Sequence, residues 1–195
     1  MQIIFILLAT LLFSNVSRAE MLDTKYETAV FAGGCFWCME KPFEHLEGVI
    51  SAISGYTGGH IESPSYKDVS RGITGHIESV QVTYDPTKLG YKTLLDTFWI
   101  NIDPLDGQGQ FCDKGEQYRS AVFYQNNEQK ILAEKSLENI ASKLDKNIET
   151  TLIKATTFYP AEEYHQDYYL KNPLRYAFYR SRCGRDKRLK ELWGS

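Results

Sequence analysis

The chain is short of the side chains that several common chemistries require. It has four histidines and four cysteines in 195 residues, and no histidine stands at ligand spacing from Cys35 or Cys38. Cys112 and Cys183 are isolated rather than a second close pair, so a zinc ribbon lacks half its usual ligands. There is no glycine-rich phosphate loop of the Rossmann or P-loop type, and with it goes the usual cradle for a nucleotide. Positive charge is also scarce. Twenty-two basic residues against 25 acidic ones leave a net charge of −3, without the broad basic footprint that phosphate backbones demand. No apolar run reaches the roughly 20 residues that span a bilayer. Repeats, low-complexity tracts and long linkers are absent too, which predicts one domain.

The N-terminus reads as an address rather than as part of the catalytic domain. Ile3 to Phe13 is almost wholly apolar, and Ser17-Arg18-Ala19 supplies small residues at the positions expected before a signal cleavage site. Residues 1–19 are therefore expected to be an export signal, and residues 20–195 a single catalytic domain. The predicted product is periplasmic or secreted, a monomer without a stable membrane anchor.

The most informative stretch is Gly33-Gly34-Cys35-Phe36-Trp37-Cys38-Met39-Glu40. Residues 28–32 read as a short buried strand, and Met39, Phe43 and Leu46 recur at helical spacing, so Cys35 stands where a strand hands over to a helix. Unpaired amides and the positive end of the helix dipole stabilise an anion there, which predicts a lowered thiol pKa and a reactive thiolate. Gly33 and Gly34 permit a tight turn, and Phe36 and Trp37 add a rigid apolar surface beside the sulfur. Spacing alone leaves other uses of Cys35 and Cys38 open: a structural disulfide, or a thioredoxin-like dithiol.

Further along, strands are predicted at 49–56, 76–84, 119–124 and 151–157, and helices at 35–46, 91–100, 128–144 and 161–170. In the 76–84 strand, alternation puts Glu78 on the same face as Val80, Val82 and Tyr84. The order strand, helix, strand, strand, helix, strand is the ferredoxin-like α+β arrangement, a two-layer sandwich of βαββαβ type. Two long connections, 57–75 and 103–117, carry Tyr66, Asp106, Gln108, Gln110 and Asp113, with Tyr118 just beyond. They read as walls around the Cys35 helix start. The C-terminal basic run, Arg180, Arg182, Arg185, Lys187, Arg188 and Lys190, reads as a solvated face on a mobile tail. His165, alone in a polar aromatic segment, is expected to make a structural hydrogen bond.

Gly34-Cys35-Phe36-Trp37 resembles the signature of the peptide methionine sulfoxide reductase A family. In order along the chain, Gly55-Tyr56-Thr57-Gly58-Gly59, Pro64-Ser65-Tyr66, Thr74-Gly75-His76-Ile77-Glu78, Tyr84-Asp85-Pro86 and the run from Asp113 to Ser120 are similar to that family's later motifs. The likeness covers roughly 29–173. It implies reduction of the S epimer of methionine sulfoxide, free or in proteins, with no bound cofactor or metal and with recycling by an external thioredoxin-like dithiol. It further implies that Cys35 is the nucleophile and that Glu78 protonates the sulfoxide oxygen. Tyr66 and Tyr118 would donate to the same oxygen, Phe36 and Trp37 would hold the methyl group, and Asp113 would orient polar parts of the substrate and loops.

Attack on sulfur leaves a sulfenic acid on Cys35, which a second thiol must condense with. Here the chain departs from the common family pattern, with Cys38 where many members have glycine and Arg182-Cys183-Gly184-Arg185 near the C-terminus. Cys183 is favoured as the resolving thiol by its basic flanks and predicted mobility, and Cys38 and Cys112 stay in play. A general thiol-disulfide oxidoreductase using Cys35 and Cys38 is the alternative function, and a zinc-stabilised binding module the third.

Overall fold

A computed structural model describes residues 26–194; the expected export signal lies outside them. The elements run β1 (Glu27–Gly33), α1 (Phe36–Glu44), β2 (Val49–Thr57), α2 (Tyr66–Ser70), β3 (Ile77–Tyr84) and α3 (Tyr91–Ile100). The short strands β4 (Gly109–Gln110) and β5 (Asp113–Lys114) precede β6 (Ser120–Tyr124), α4 (Asn127–Leu144), β7 (Thr151–Lys154) and β8 (Tyr159–Pro160). Three helices close the chain: α5 (Tyr168–Lys171), α6 (Pro173–Arg182) and α7 (Arg185–Trp193).

The main sheet has the order β7-β6-β1-β3-β2-β8. Its central four strands are mutually antiparallel and reproduce the ferredoxin-like core. β7 extends it in parallel beside β6, and β8 adds an antiparallel edge. Alternation in the strands sorts the side chains into two layers. Ala29, Phe31, Val80, Val82 and Val122 face Phe43, Leu94, Leu95 and Phe98 of the helices, all of them at or near zero exposure. Phe31 anchors this layer, stacking on Phe43 at 5.0 Å and on Phe98 at 5.3 Å. On the opposite face Val30, Ala32, Ile77, Ala121 and Phe123 form a smaller cluster.

Antiparallel pairing also gathers the chemistry at one edge. The end of β1 opposes the start of β6, Gly33 to Ser120, while Tyr56 near the end of β2 opposes Glu78 near the start of β3. Cys35, Glu78, the loop bearing Tyr66 and the turn bearing Tyr118 therefore emerge side by side.

Two expectations fail in the C-terminal third, the second of them in part. The predicted 161–170 helix is a 3-10 turn, Glu163–His165, followed by the short α5. The Gln166 side chain explains the break. Its amide accepts from Ser54 N and donates to Ser54 O, both at 2.9 Å, and so completes β2 as a strand residue would. That geometry holds Gln166 extended and Asp167 left-handed, at φ 53°. The basic run is only in part the solvated face expected of it: Arg182, Lys187 and Lys190 are exposed, but the rest is not. It spans the end of α6 and most of α7, with Arg185 only 1% exposed, Arg188 paired to Asp103 at 2.7 Å and Trp193 Nε1 donating to Ile102 O.

Candidate active site

Cys35 is the N-cap of α1 and is 6% exposed. Gly34 makes the turn possible: its φ is +79°, and a Cβ there would lie 2.5 Å from Gln110 Cβ. Gln110 is itself fixed, exchanging hydrogen bonds with the Asp103 backbone at 2.7 and 2.8 Å, so the 103–117 loop is pinned under the turn. Asp106 and Gln108 serve the β4–β5 hairpin itself, Asp106 through its ion pair with Lys114 and Gln108 by accepting from Gly115 N at 2.9 Å.

Glu78 is 2% exposed, and its Oε2 accepts the Phe36 N–H, at the first turn of α1, at 3.2 Å. Burial outweighs that bond and pushes the carboxyl up to about 8, so it is protonated at neutral pH. Tyr66 and Tyr118 face the same space. Burial raises both phenols, Tyr66 to about 12, and the charges of Glu78 and Cys35 bear on each. Asp113 is raised by burial and accepts from the Tyr179 hydroxyl, which also faces the Cys35 sulfur. Phe36 lies at 5.8 Å from the Tyr56 ring and 5.1 Å from the His165 ring, and Trp37 stacks on Tyr168 at 3.7 Å. The Trp37 indole donates to His165 Nδ1 at 3.0 Å. That bond places the His165 proton on Nε2, and burial keeps the ring neutral. His165 thus has the structural hydrogen bond expected of it.

The arrangement is a thiol pair beside a neutral carboxyl, two phenols and an aromatic wall. It suits reduction of a small polar X=O group carried on an apolar atom. Comparison with known proteins decides which. The profile of the family described as "Peptide methionine sulfoxide reductase" matches residues 27–195. The chain is 48% identical to peptide methionine sulfoxide reductase MsrA 2 of Caulobacter vibrioides, over 99% of its own length and 98% of that protein. It is 51% identical to the Bacillus licheniformis MsrA over 87% of this chain and 95% of that one. The chain belongs to the peptide methionine sulfoxide reductase family. Its fold is also that of methionine sulfoxide reductase A of Corynebacterium diphtheriae, with a TM-score of 0.73, 35% identity, and coverage of 77% and 76% of the two chains.

The enzyme's cysteines depart from the sequence expectation in two respects. Cys183 does not meet Cys35: it is disulfide-bonded to Cys112 across 71 residues of sequence, with Cα atoms 4.9 Å apart. This bond takes two of the four cysteines out of any zinc site, and Cys35 and Cys38 remain as buried free thiols. Nor is Cys35 the acidified partner. Burial, its hydrogen bond to Cys38 and the nearby Glu78 raise it well above its ordinary value. Cys38 falls to about 6, because the Cys35 thiol donates to it and the Arg185 and Arg180 charges favour its anion. Of the two thiols at the helix start, Cys35 is the one held protonated and Cys38 the one pushed toward its anion.

Sequence reasoning missed Tyr179 and Arg185, which reach the site from the C-terminal helices. It also missed Glu162, which binds the Tyr56 hydroxyl and the Tyr66 amide, both at 2.9 Å. The signal for Glu162 was its place inside the stretch, roughly 29–173, over which the sequence resembles the family. Tyr179 is one of 13 tyrosines, and nothing local marks it out.

Proposed function

We propose that the enzyme reduces the S epimer of methionine sulfoxide, in proteins and free, with the sulfoxide seated between Cys35 and Glu78. Phe36 and Trp37 hold the S-methyl group, Tyr66, Tyr118 and Glu78 donate to the sulfoxide oxygen, and Asp113 orients Tyr179 and the surrounding loops. The observation that carries this reading is the Glu78 carboxyl, kept neutral by burial at the same helix start as the thiol. A sulfoxide oxygen leaves poorly until it is protonated, and a carboxyl with its proton retained near pH 7 meets that need. Sulfur attack by Cys35 passes the oxygen to Cys35 as a sulfenic acid and releases methionine. Cys38 then condenses with it, releasing water and leaving a Cys35–Cys38 disulfide. The adjacency of Cys38 and its lowered pKa favour it over Cys112 and Cys183 for this step.

An external thioredoxin-like dithiol returns the two electrons by exchange. Residues 1–19 direct export to the periplasm or beyond; the Cys112–Cys183 disulfide supports an oxidising compartment. Among the described residues no helix is long and apolar enough to cross a membrane. Separate S- and R-sulfoxides incubated with dithiothreitol test the central reading. Loss of the S epimer alone supports it, and equal loss of both, or of neither, overturns it.

A further inference from the structure

Arg185 is a buried cation with no carboxylate in ion-pair contact among the described residues, although its charge does bear on the half-buried Asp113. Its guanidinium donates to the Gly33 carbonyl at 2.7 Å, the Asn101 carbonyl at 2.9 Å and Met39 Sδ at 3.1 Å, and lies 4.4 Å from the Phe111 ring. Two other arginines of the tail are treated differently. Arg180 pairs with Asp186 at 2.6 Å and Arg188 with Asp103 at 2.7 Å, whereas among the described residues no carboxylate comes within ion-pair distance of Arg185. A desolvated charge held by neutral carbonyls, a thioether and a ring is costly unless some anion answers it. Met39, whose sulfur the guanidinium contacts, follows Cys38 directly in α1, and the Arg185 charge favours the anions of both Cys38 and Asp113.

We propose that Arg185 is a positioning residue for the thiol pair, the buried counter-ion of the Cys38 thiolate, and that the Cys112–Cys183 disulfide keeps it seated. The disulfide joins the two segments that enclose the guanidinium. Cys112 follows Phe111, whose ring the guanidinium faces, and Cys183 precedes Arg185 by two residues. The Gly33 carbonyl that Arg185 grips also opens the turn to Cys35, so charge and turn are set together. Other charged groups bear on Cys38 as well. Arg180 reinforces Arg185 and Asp113 opposes it, Cys35 donates its thiol proton, and Glu78 is neutral below about 8. Tyr176 packs against the Cys38 side chain, and its hydroxyl is the partner of Arg180.

The inference rests on the reading of Cys38 as the resolving thiol. In that step the Cys38 thiolate attacks the Cys35 sulfenic sulfur. An S–S bond forms as the S–O bond breaks, and the departing oxygen takes up a proton to leave as water. A counter-ion at Cys38 raises the fraction of enzyme ready for this step. Reduction of the Cys112–Cys183 bond would unseat Arg185 and slow it.

The test is titration of Cys38 in the folded, disulfide-bonded protein, by thiolate absorbance and by alkylation mapped to each cysteine. It needs no sulfoxide, so it stands or falls apart from the reductase reading. Arg185→Gln is expected to raise the Cys38 midpoint by about one pH unit, a tenfold change in its ionisation constant. Arg185→Lys keeps the charge but not the planar fork, and is expected to hold the midpoint near that of the wild type. The Cys112→Ser, Cys183→Ser double variant is expected to raise the midpoint with Arg185 intact, and it carries the test should Arg185→Gln not fold. A midpoint unchanged in Arg185→Gln overturns the counter-ion role, as does an Arg185→Lys midpoint displaced as far as that of Gln. One unchanged in the double variant overturns the role of the disulfide.

Discussion

Glu78 Oε2 and the Phe36 amide, 3.2 Å apart, join the acid of the site to the first turn of the helix that carries its nucleophile. A single hydrogen bond thereby fixes the carboxyl beside Cys35, while burial keeps its proton in place. The two features pull its pKa in opposite directions, and burial wins.

Glu78→Gln keeps the shape and removes the transferable proton. Single-turnover reduction of methionine sulfoxide is expected to slow by about 10²- to 10⁴-fold, the range for loss of a positioned general acid. Quench-flow measurement of methionine released per enzyme checks this, and a rate near wild type would take Glu78 out of the role.

The two steps should respond to pH in opposite senses. Glu78 must be protonated, so sulfoxide reduction is expected to decline as pH rises through about 8. Cys38 must be ionised, and Arg185 and Arg180 still favour its anion once Cys35 is a sulfenic acid, so closure of the Cys35–Cys38 disulfide is expected to decline as pH falls. Rapid-quench peptide mapping separates the two rates, and parallel profiles would refute the division of labour.

Cys35→Ser is expected to abolish reduction with the fold intact, because an alcohol at this position supplies no sulfur nucleophile. Cys38→Ser is expected to release one methionine per enzyme and then stall with sulfenic acid on Cys35. A dimedone adduct found by mass spectrometry would report it. Fast cycling of Cys38→Ser, with a new Cys35–Cys183 or Cys35–Cys112 bond, would move the resolving role to the tail or the loop.

Glu40 offers a stability test away from the chemistry. Its side chain is fully buried, and burial raises it from the ordinary 4.5 to about 7. Between those values the folded protein binds the extra proton. The stability gained is complete below about 4.5 and is lost as pH rises through about 7. Glu40→Gln should remove that dependence, which amounts to on the order of 3 kcal/mol. Urea midpoints at pH 4 and pH 8 check it: the variant should compare better with wild type at pH 8, and an unchanged difference would refute it.

Much of the site could be read from residue order because its signals are local. Alternation placed Glu78 on the apolar face of its strand, and two glycines before Cys35 marked the turn. The failures share a physical cause: contacts distant in sequence overrode local preference. Gln166 breaks a helical pattern because its amide serves Ser54, 112 residues away. Arg185 sits in a charge run that reads as solvated, yet the sheet edge and the 103–117 loop enclose it. The state of Cys183 was equally hidden, since its partner depends on which loop the tail folds against. The helix dipole argued for an acidic Cys35, but it took no account of burial or of a second thiol whose anion two guanidinium charges favour.

The stacking of Trp37 on Tyr168 has a practical side. Of the three tryptophans, Trp99 is tied to Ser136 and Trp193 to the Ile102 carbonyl, while Trp37 alone packs against the cluster that contains Cys38. Thiolates and disulfides both quench indole emission, with different efficiency. The protein therefore carries an optical gauge of its own oxidation state, and each turnover should be visible as a change in fluorescence without any added dye.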